Sequence, residues 1–181
     1  MISIKKIVII GNAGSGKSFL AQKLGKIFNL PVFHLDQYFW QPNWVYPDEH
    51  EYKKVHDALC LRDAWVMDGM QLRLLETRIK AADMVIFLDM PLSLCLWRIF
   101  KRTWRYHGVE TPSSAPGCTE SFFRREFIRF IQWVCGFKAK YPPRIMELLG
   151  NYADKKQIYV LKSSCEVDEF LKMIGDGRGA I

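Results

Sequence analysis

The clearest chemistry in this sequence lies in eight consecutive residues, Gly11-Asn-Ala-Gly-Ser-Gly16-Lys17-Ser18. They satisfy the spacing G-x-x-x-x-G-K-S. The glycines let the backbone curl around a phosphate with its N–H groups pointing inward, a shape that a Cβ would obstruct. Lys17 carries a cation toward the β- and γ-phosphates of a nucleoside triphosphate, and the Ser18 hydroxyl is placed to ligate Mg²⁺. A helix opening at Lys17 adds its positive N-terminal end. The four fixed positions recur by accident in on the order of one percent of chains this long. The expectation is a site for Mg·ATP formed by Gly11, Asn12, Ala13, Gly14, Ser15, Gly16, Lys17, Ser18 and Phe19.

Two acids follow strand-like runs. Asp68 ends Trp65-Val66-Met67 and precedes Gly69, where a carboxylate can hold the hydration shell of Mg²⁺. Asp36 ends His34-Leu35, where it can accept a hydrogen bond from a substrate hydroxyl or take its proton. His34 itself reads as a packed strand residue. Trp40 and Trp44 can stack on a flat or sugar-like acceptor, or serve as lid packing. Asp83 precedes a strand and reads as structural, and Asp89 reads as the N-cap of the helix that follows it.

Ten Lys/Arg lie in residues 98–144 against three acids, a surplus of seven that equals the net charge of the whole chain. Such a segment calls for a polyanionic partner, and nucleotide phosphates and nucleic acid both qualify. Arg98 and Arg102, four apart, share one helix face. Arg105 lies a turn further on, and Arg124, Arg125 and Arg129 follow a Gly/Pro-rich loop. Two helices lined with arginines and joined by a loop describe a closing lid, in which guanidinium groups stabilise the moving phosphoryl and closure excludes water. Arg129 and Lys138 read as a solvated face. Phe123, Phe127, Phe130, Trp133 and Val134 fall at helical spacing and read as core.

These residues need a scaffold, and the elements supply one. Short β-branched or apolar runs at 4–10, 31–35, 64–67, 84–88 and 157–161 predict five strands. Helical spacing predicts helices at 17–29, 48–62, 71–80, 91–105, 120–138 and 166–174, with loops at 37–47 and 106–120. The alternation predicts an α/β fold: a five-stranded parallel sheet covered by helices on both faces, the three-layer architecture of P-loop NTPases. The chain of 181 residues reads as one P-loop kinase-like domain, with 37–62 as an acceptor-side insertion and 98–129 as the lid. Ligands of such sheets sit at the carboxyl ends of the strands, which is where Asp36 and Asp68 fall.

Composition removes other classes. No apolar run reaches the length of a membrane span, and the N-terminus carries no secretory pattern. The five cysteines are odd in number and scattered without a CxxC pair, so a disulfide framework and a zinc site are both unexpected. A soluble cytoplasmic protein without a membrane partner is expected, with monomer and homodimer both open.

The phosphate loop, Trp65-Val-Met-Asp68-Gly69 and Asp89-Met-Pro91…Arg98…Arg102 resemble the adenylate-kinase-like nucleoside-monophosphate kinases in order and spacing. That resemblance implies that Asp68 borders the nucleotide and metal site and that Arg98 and Arg102 open a lid and contact ATP. His34-Leu-Asp36-Gln-Tyr-Phe-Trp40-Gln-Pro-Asn-Trp44-Val, Ala115-Pro-Gly-Cys118-Thr-Glu120-Ser-Phe and the long helix before Tyr141-Pro-Pro-Arg144 are similar to segments of the bacterial topology-modulation proteins, relatives of the adenylate kinases. Two segments depart from these patterns. The Asp36/Trp40 stretch stands where adenylate kinases carry an arginine-bearing monophosphate segment, which implies a hydroxylated small molecule or nucleoside as acceptor. Thr111-Pro112-Ser113 stands where the topology-modulation proteins carry Arg-Pro-Asp.

The leading expectation is an ATP-dependent phosphotransferase, a small-molecule, nucleoside or nucleotide kinase, in which Lys17 holds the triphosphate, Arg98, Arg102 and Arg124 close over it, Asp36 orients or deprotonates the acceptor, and Ser18 and, through water, Asp68 place Mg²⁺. The alternative is a nucleotide-dependent DNA-binding or regulatory protein that uses residues 98–144 against phosphate backbone.

Overall fold

Ile7–Ile10, Trp65–Met67 and Met84–Leu88 are buried along their whole lengths, so each strand is apolar on both faces and has to be covered twice. The computed structural model describes residues 4–123 and 125–177. Its strands are β1 (Lys6–Gly11), β2 (Val32–His34), β3 (Trp65–Asp68), β4 (Met84–Leu88) and β5 (Gln157–Leu161). Its helices are α1 (Lys17–Phe28), α2 (Leu35–Phe39), α3 (Glu49–Leu61), α4 (Leu75–Ala81), α5 (Leu92–Arg105), α6 (Arg125–Lys140), α7 (Pro142–Gly150) and α8 (Ser164–Gly175).

The strands form one parallel sheet in the order β2-β3-β1-β4-β5. On one face Val8, Ile10, Met67, Val85 and Phe87 pack with Leu59, Leu75, Ile79, Phe137 and Ile145. On the other, Ile7, Ile9, Val66, Ile86 and Leu88 pack with Leu20, Leu24, Phe170 and Ile174. A smaller group, Ile99, Phe127 and Val134, joins α5 to α6. The expected three-layer α/β architecture is therefore present.

Several boundaries differ from the sequence expectation. Residues 35–39, expected as strand end and loop, form the single-turn helix α2, because Leu35 turns into the core and Trp40 N–H closes the turn on Asp36 O at 3.1 Å. The helix expected at 71–80 starts with a 3-10 turn at Leu72–Leu74. The helix expected from 120 begins at Arg125, since Thr119 and Glu120 are held by bridges to Glu110 and His107. Asp89 does not cap α5: the cap position is Pro91, with no side-chain cap bond, and Asp89 lies 3.8 Å from Lys138 instead. Asp83 is structural as expected, accepting from the N–H groups of Lys5 and Lys6 at 2.8 and 2.9 Å. Asp48 caps α3, accepting from His50 and Glu51.

Candidate functional site

Between β1 and α1 the chain makes the expected loop. Gly14 and Gly16 have φ of +73° and +102°, in the left-handed region that side chains resist. A Cβ on Gly14 would overlap the Cys95 carbonyl of α5, and one on Gly11 would come within 2.6 Å of Leu88 O. The loop is thus a tight cradle that a Cβ would fill. Asn12 fixes it from behind: its Nδ2 donates to Val134 O of α6 at 3.0 Å, and its Oδ1 accepts from Ala13 N–H at 2.8 Å. Asn12 O accepts from Ser15 N–H at 3.2 Å and from Lys17 Nζ at 2.8 Å. The Ser15 hydroxyl is buried with no protein partner. The Phe19 ring is exposed, with Lys23 Nζ 5.5 Å from its centroid.

Adjacent strands bring the acids to this loop. His34 and Asp68 are in register on β2 and β3, and Asp68 is in register with Ile9 of β1. Ser18 Oγ donates to Asp68 Oδ2 at 2.7 Å. The other carboxylate oxygen, Oδ1, lies 2.5 Å from His34 Nδ1. Burial lowers the His34 pKa, but the hydrogen bond to Asp68 and the charges of Asp68 and Asp36 outweigh it and leave a net rise. A hydroxyl and a carboxylate side by side are hard oxygen donors suited to Mg²⁺. Among the described residues no group of three or more His, Cys, Asp or Glu could hold a metal. A cation at Ser18 and Asp68 would therefore share its coordination with phosphate and water, as Mg²⁺ does.

Asp36 lies on α2 at the mouth of the same cleft, with Oδ1 accepting from Gln71 Nε2 at 2.9 Å. Its surface reaches solvent, yet enough protein surrounds the carboxyl that lost solvation raises its pKa, with Lys17 opposing. Burial lowers the Lys17 pKa in turn, and Asp36 and then Asp68 are the charges that most oppose this. Asp36, Asp68 and Lys17 thus lie within electrostatic reach of one another. Gln71 is itself set by Arg78 of α4, a fully buried guanidinium whose Nη atoms donate to Gly69 O at 3.3 Å and Gln71 O at 3.2 Å.

The arginines of α5 divide by position. Arg98 Nη1 donates to Ser15 O at 3.0 Å, and Nη2 donates to Ser164 Oγ at 3.1 Å, so it braces the loop against α8. Arg102 pairs with Glu120 at 2.9 Å, and Thr103 Oγ1 donates to the second oxygen of that carboxylate at 3.1 Å. Glu120 is only 1% exposed, and this pair holds the start of the 106–120 loop against its end. The Arg102 charge also acts on Lys17 and Asp36. Arg124 lies outside the described residues. Lys101, Arg105, Arg129, Lys138, Lys140 and Arg144 are exposed, so only part of the basic segment turns toward the loop.

The segment after Asp36 meets the 106–120 loop. Gln37 Nε2 donates to Pro112 O at 2.9 Å, Trp44 Nε1 to Thr119 O at 2.9 Å and Asn43 N–H to Gly117 O at 3.0 Å. Cys118 Sγ donates to Gln41 O at 3.2 Å. Trp40 packs edge-on against Phe39 and Trp44, with ring centroids 5.0 and 5.7 Å away. Both tryptophans belong to this wall. Behind it a cavity of about 800 Å³ is lined by Phe39, Tyr46, Tyr52, Lys53, Gln71 and Arg73 among others. Glu49 and Arg73 pair at its edge. The Tyr52 hydroxyl and Gln71 Oε1 are buried without hydrogen-bond partners.

Four contributors were not singled out from sequence. His34 reads as strand packing until β2 is known to lie beside β3. Glu120 is an acid isolated in a basic stretch, and that isolation is the signal that could have marked it as a partner of arginine. Gln71 and Arg78 carry no local signal.

No family model matches this sequence, and no curated protein matches it. Solved structures do. A shikimate kinase from Acinetobacter baumannii in complex with shikimate superposes with a TM-score of 0.59 at 14% identity, covering 98% of this chain and 94% of its own. A gluconokinase from Sinorhizobium meliloti 1021 gives 0.54 at 14% identity over 98% and 93%. A sugar kinase from Janibacter gives 0.51 at 11% identity over 97% and 92%. The fold is that of P-loop kinases. No helix among the described residues is long and apolar enough to cross a membrane.

Proposed function

We propose that this chain is an ATP-dependent phosphotransferase whose acceptor is a small hydroxylated molecule. The observation that carries the reading is the convergence of Lys17, Ser18, Asp68 and Asp36 on one cleft at the carboxyl ends of β1, β2 and β3. In that reading the loop amides of residues 11–18 and the N-terminus of α1 hold the triphosphate, and Lys17 neutralises the β- and γ-phosphates. Ser18 and, through water, Asp68 hold Mg²⁺, which when bound supplies positive charge to the phosphate oxygens.

Asp36 accepts the proton of an acceptor hydroxyl as its oxygen attacks the γ-phosphorus, and the bond to the β–γ bridging oxygen breaks to release ADP. Gln71 orients Asp36 for this step. Residues 98–129 act as a lid, with Arg98, Arg102 and Arg124 bringing charge toward the transferring group and closure excluding water. The acceptor occupies the cavity lined by Phe39, Tyr46, Tyr52, Lys53 and Gln71, next to Asp36 through the Gln71 hydrogen bond, and Trp40 and Trp44 form the wall between acceptor side and lid. Kinases of shikimate, gluconate and a sugar among the similar solved structures support an acceptor of this kind.

The test is ADP release from Mg·ATP across a panel of polyols, sugars, hydroxy acids, nucleosides and nucleotides, with Lys17→Ala as control. Stimulation by a hydroxylated small molecule is expected. Stimulation by none, with tight salt-sensitive binding of duplex DNA, would instead favour the DNA-binding alternative.

A further inference from the structure

Helix α5 divides its side chains three ways. Cys95, Ile99 and Thr103 are fully buried. Arg98 and Arg102 turn to the phosphate loop and to Glu120. The third side, formed by Trp97, Phe100, Lys101, Trp104 and Arg105, meets solvent. Trp97 and Trp104 are seven residues apart, two turns on the same line and roughly 10 Å from one another along the axis. They are 57% and 81% exposed. The angular step of the helix sets Phe100 on one flank of this line and Lys101 and Arg105 on the other.

The aromatic surface continues beyond the helix. Phe100 stacks on Phe122 at 6.2 Å, Phe122 on His107 at 6.2 Å, and His107 meets Phe123 at 6.1 Å. Phe123 is 88% exposed. Single exposed apolar residues are ordinary on soluble proteins, but exposed tryptophans and phenylalanines gathered on one side of a helix and the segment after it are not. Helix α5 contains no acidic residue. Of the acids nearest in sequence, Asp89 lies 3.8 Å from Lys138 and Glu120 is buried on Arg102 and Thr103, leaving Glu110 and Glu126 exposed.

We propose that this face is a docking surface for an anionic phospholipid membrane, with α5 lying in the plane of the interface. Tryptophan is the side chain that settles at the boundary between headgroups and acyl chains, and cations on the flank of an amphipathic helix meet anionic headgroups. Charge decides against a second copy of the chain, since a two-fold contact here would set Lys101 and Arg105 against their own counterparts. Stacked nucleic-acid bases fit less well, because the Trp97 ring already carries Lys101 Nζ at 4.7 Å over its face. With no spanning helix among the described residues, the contact lies on the membrane and not through it.

The test is sedimentation of the full chain with vesicles of phosphatidylcholine alone and of phosphatidylcholine mixed with phosphatidylglycerol, with tryptophan emission read in parallel. The mixed vesicles are expected to bind the protein at least about tenfold more tightly, with a blue shift. The double variant Trp97→Ala/Trp104→Ala and, separately, Lys101→Glu are each expected to weaken this about fivefold or more. Binding of ATP and the circular dichroism spectrum should stay unchanged in both. Equal binding to neutral vesicles, no binding, or variants that bind as the parent would overturn the proposal. So would a dimer or a single-stranded DNA complex abolished by the same substitutions, which would assign the face to another occupant.

Discussion

Ser18 Oγ donates to Asp68 Oδ2 at 2.7 Å, while Asp68 Oδ1 faces His34 Nδ1 at 2.5 Å. One carboxylate thus joins the start of α1 to the ends of β2 and β3, and His34 fixes its orientation. Removing that orientation should be felt by a bound cation. His34→Ala is expected to raise the Mg²⁺ concentration needed for half-maximal activity by about ten- to a hundredfold, with kcat at saturating Mg²⁺ largely retained. An unchanged Mg²⁺ requirement would reduce His34 to strand packing.

Asp36 gives a pH prediction. Burial raises its pKa above the ordinary 3.8, so an activity that needs the carboxylate should lose its acid limb at a pH above that value. Burial lowers Lys17 from 10.5, which brings the alkaline limb down. Asp36→Asn should remove the acid limb and cost about 10²–10⁴ in kcat. The sign for stability is opposite. A carboxyl whose folded-state pKa is raised favours folding only below that pKa, and its contribution is lost as pH rises through it. The Asn variant should therefore melt no lower than the parent at neutral pH. A drop in melting temperature would show that charged Asp36 holds the fold.

Glu120 tests the arginine brace. Truncating one member of a buried pair leaves the other charge short of a partner, so Glu120→Ala should cost about 2–3 kcal/mol, somewhat less than a fully buried pair because Arg102 is partly exposed. Glu120→Gln keeps the shape and a hydrogen bond and should cost about 1 kcal/mol. Denaturant melts of both proteins measure this, and equal losses would contradict the charge argument.

Gly117 tests the wall between the acceptor side and the 106–120 loop. Its φ is +76°, and a Cβ there would come within 2.8 Å of Pro42 Cβ. Gly117→Ala should separate the two segments locally at a cost of about 1–2 kcal/mol. Faster proteolytic cleavage within 106–120 is the readout, and a rate equal to that of the parent would show that the two segments are not joined there.

The glycine-rich loop and the carboxylate beside it were legible in the sequence because their signals are local: Gly11 to Ser18 is one continuous stretch, and Asp68 directly follows an apolar run. The parallel sheet was legible for the same reason, since each strand is a short apolar run between turn residues. His34 was not, because its meaning depends on β2 pairing with β3 in register. Gln71 reaches Asp36 through its side-chain amide and Arg78 holds the Gly69 and Gln71 carbonyls; the fold brings these partners together, and no sequence pattern encodes that. Asp89 misled because an acid just before a helix looks like a cap; here the chain enters α5 through Pro91, and Asp89 turns toward Lys138. Trp40 and Trp44 suited either a ligand or a wall in the sequence, because the Trp44 bond to Thr119 O joins segments 75 residues apart.

The central claim is tested most directly by one paired measurement on Lys17→Ala and Asp36→Asn with a stimulating hydroxylated acceptor. If Lys17 serves the donor and Asp36 the acceptor, Lys17→Ala should lose both Mg·ATP binding and ADP release. Asp36→Asn should bind Mg·ATP as the parent does while ADP release falls by about 10² or more. Acceptor-stimulated ADP release that survives in Asp36→Asn at the parental rate would contradict the account.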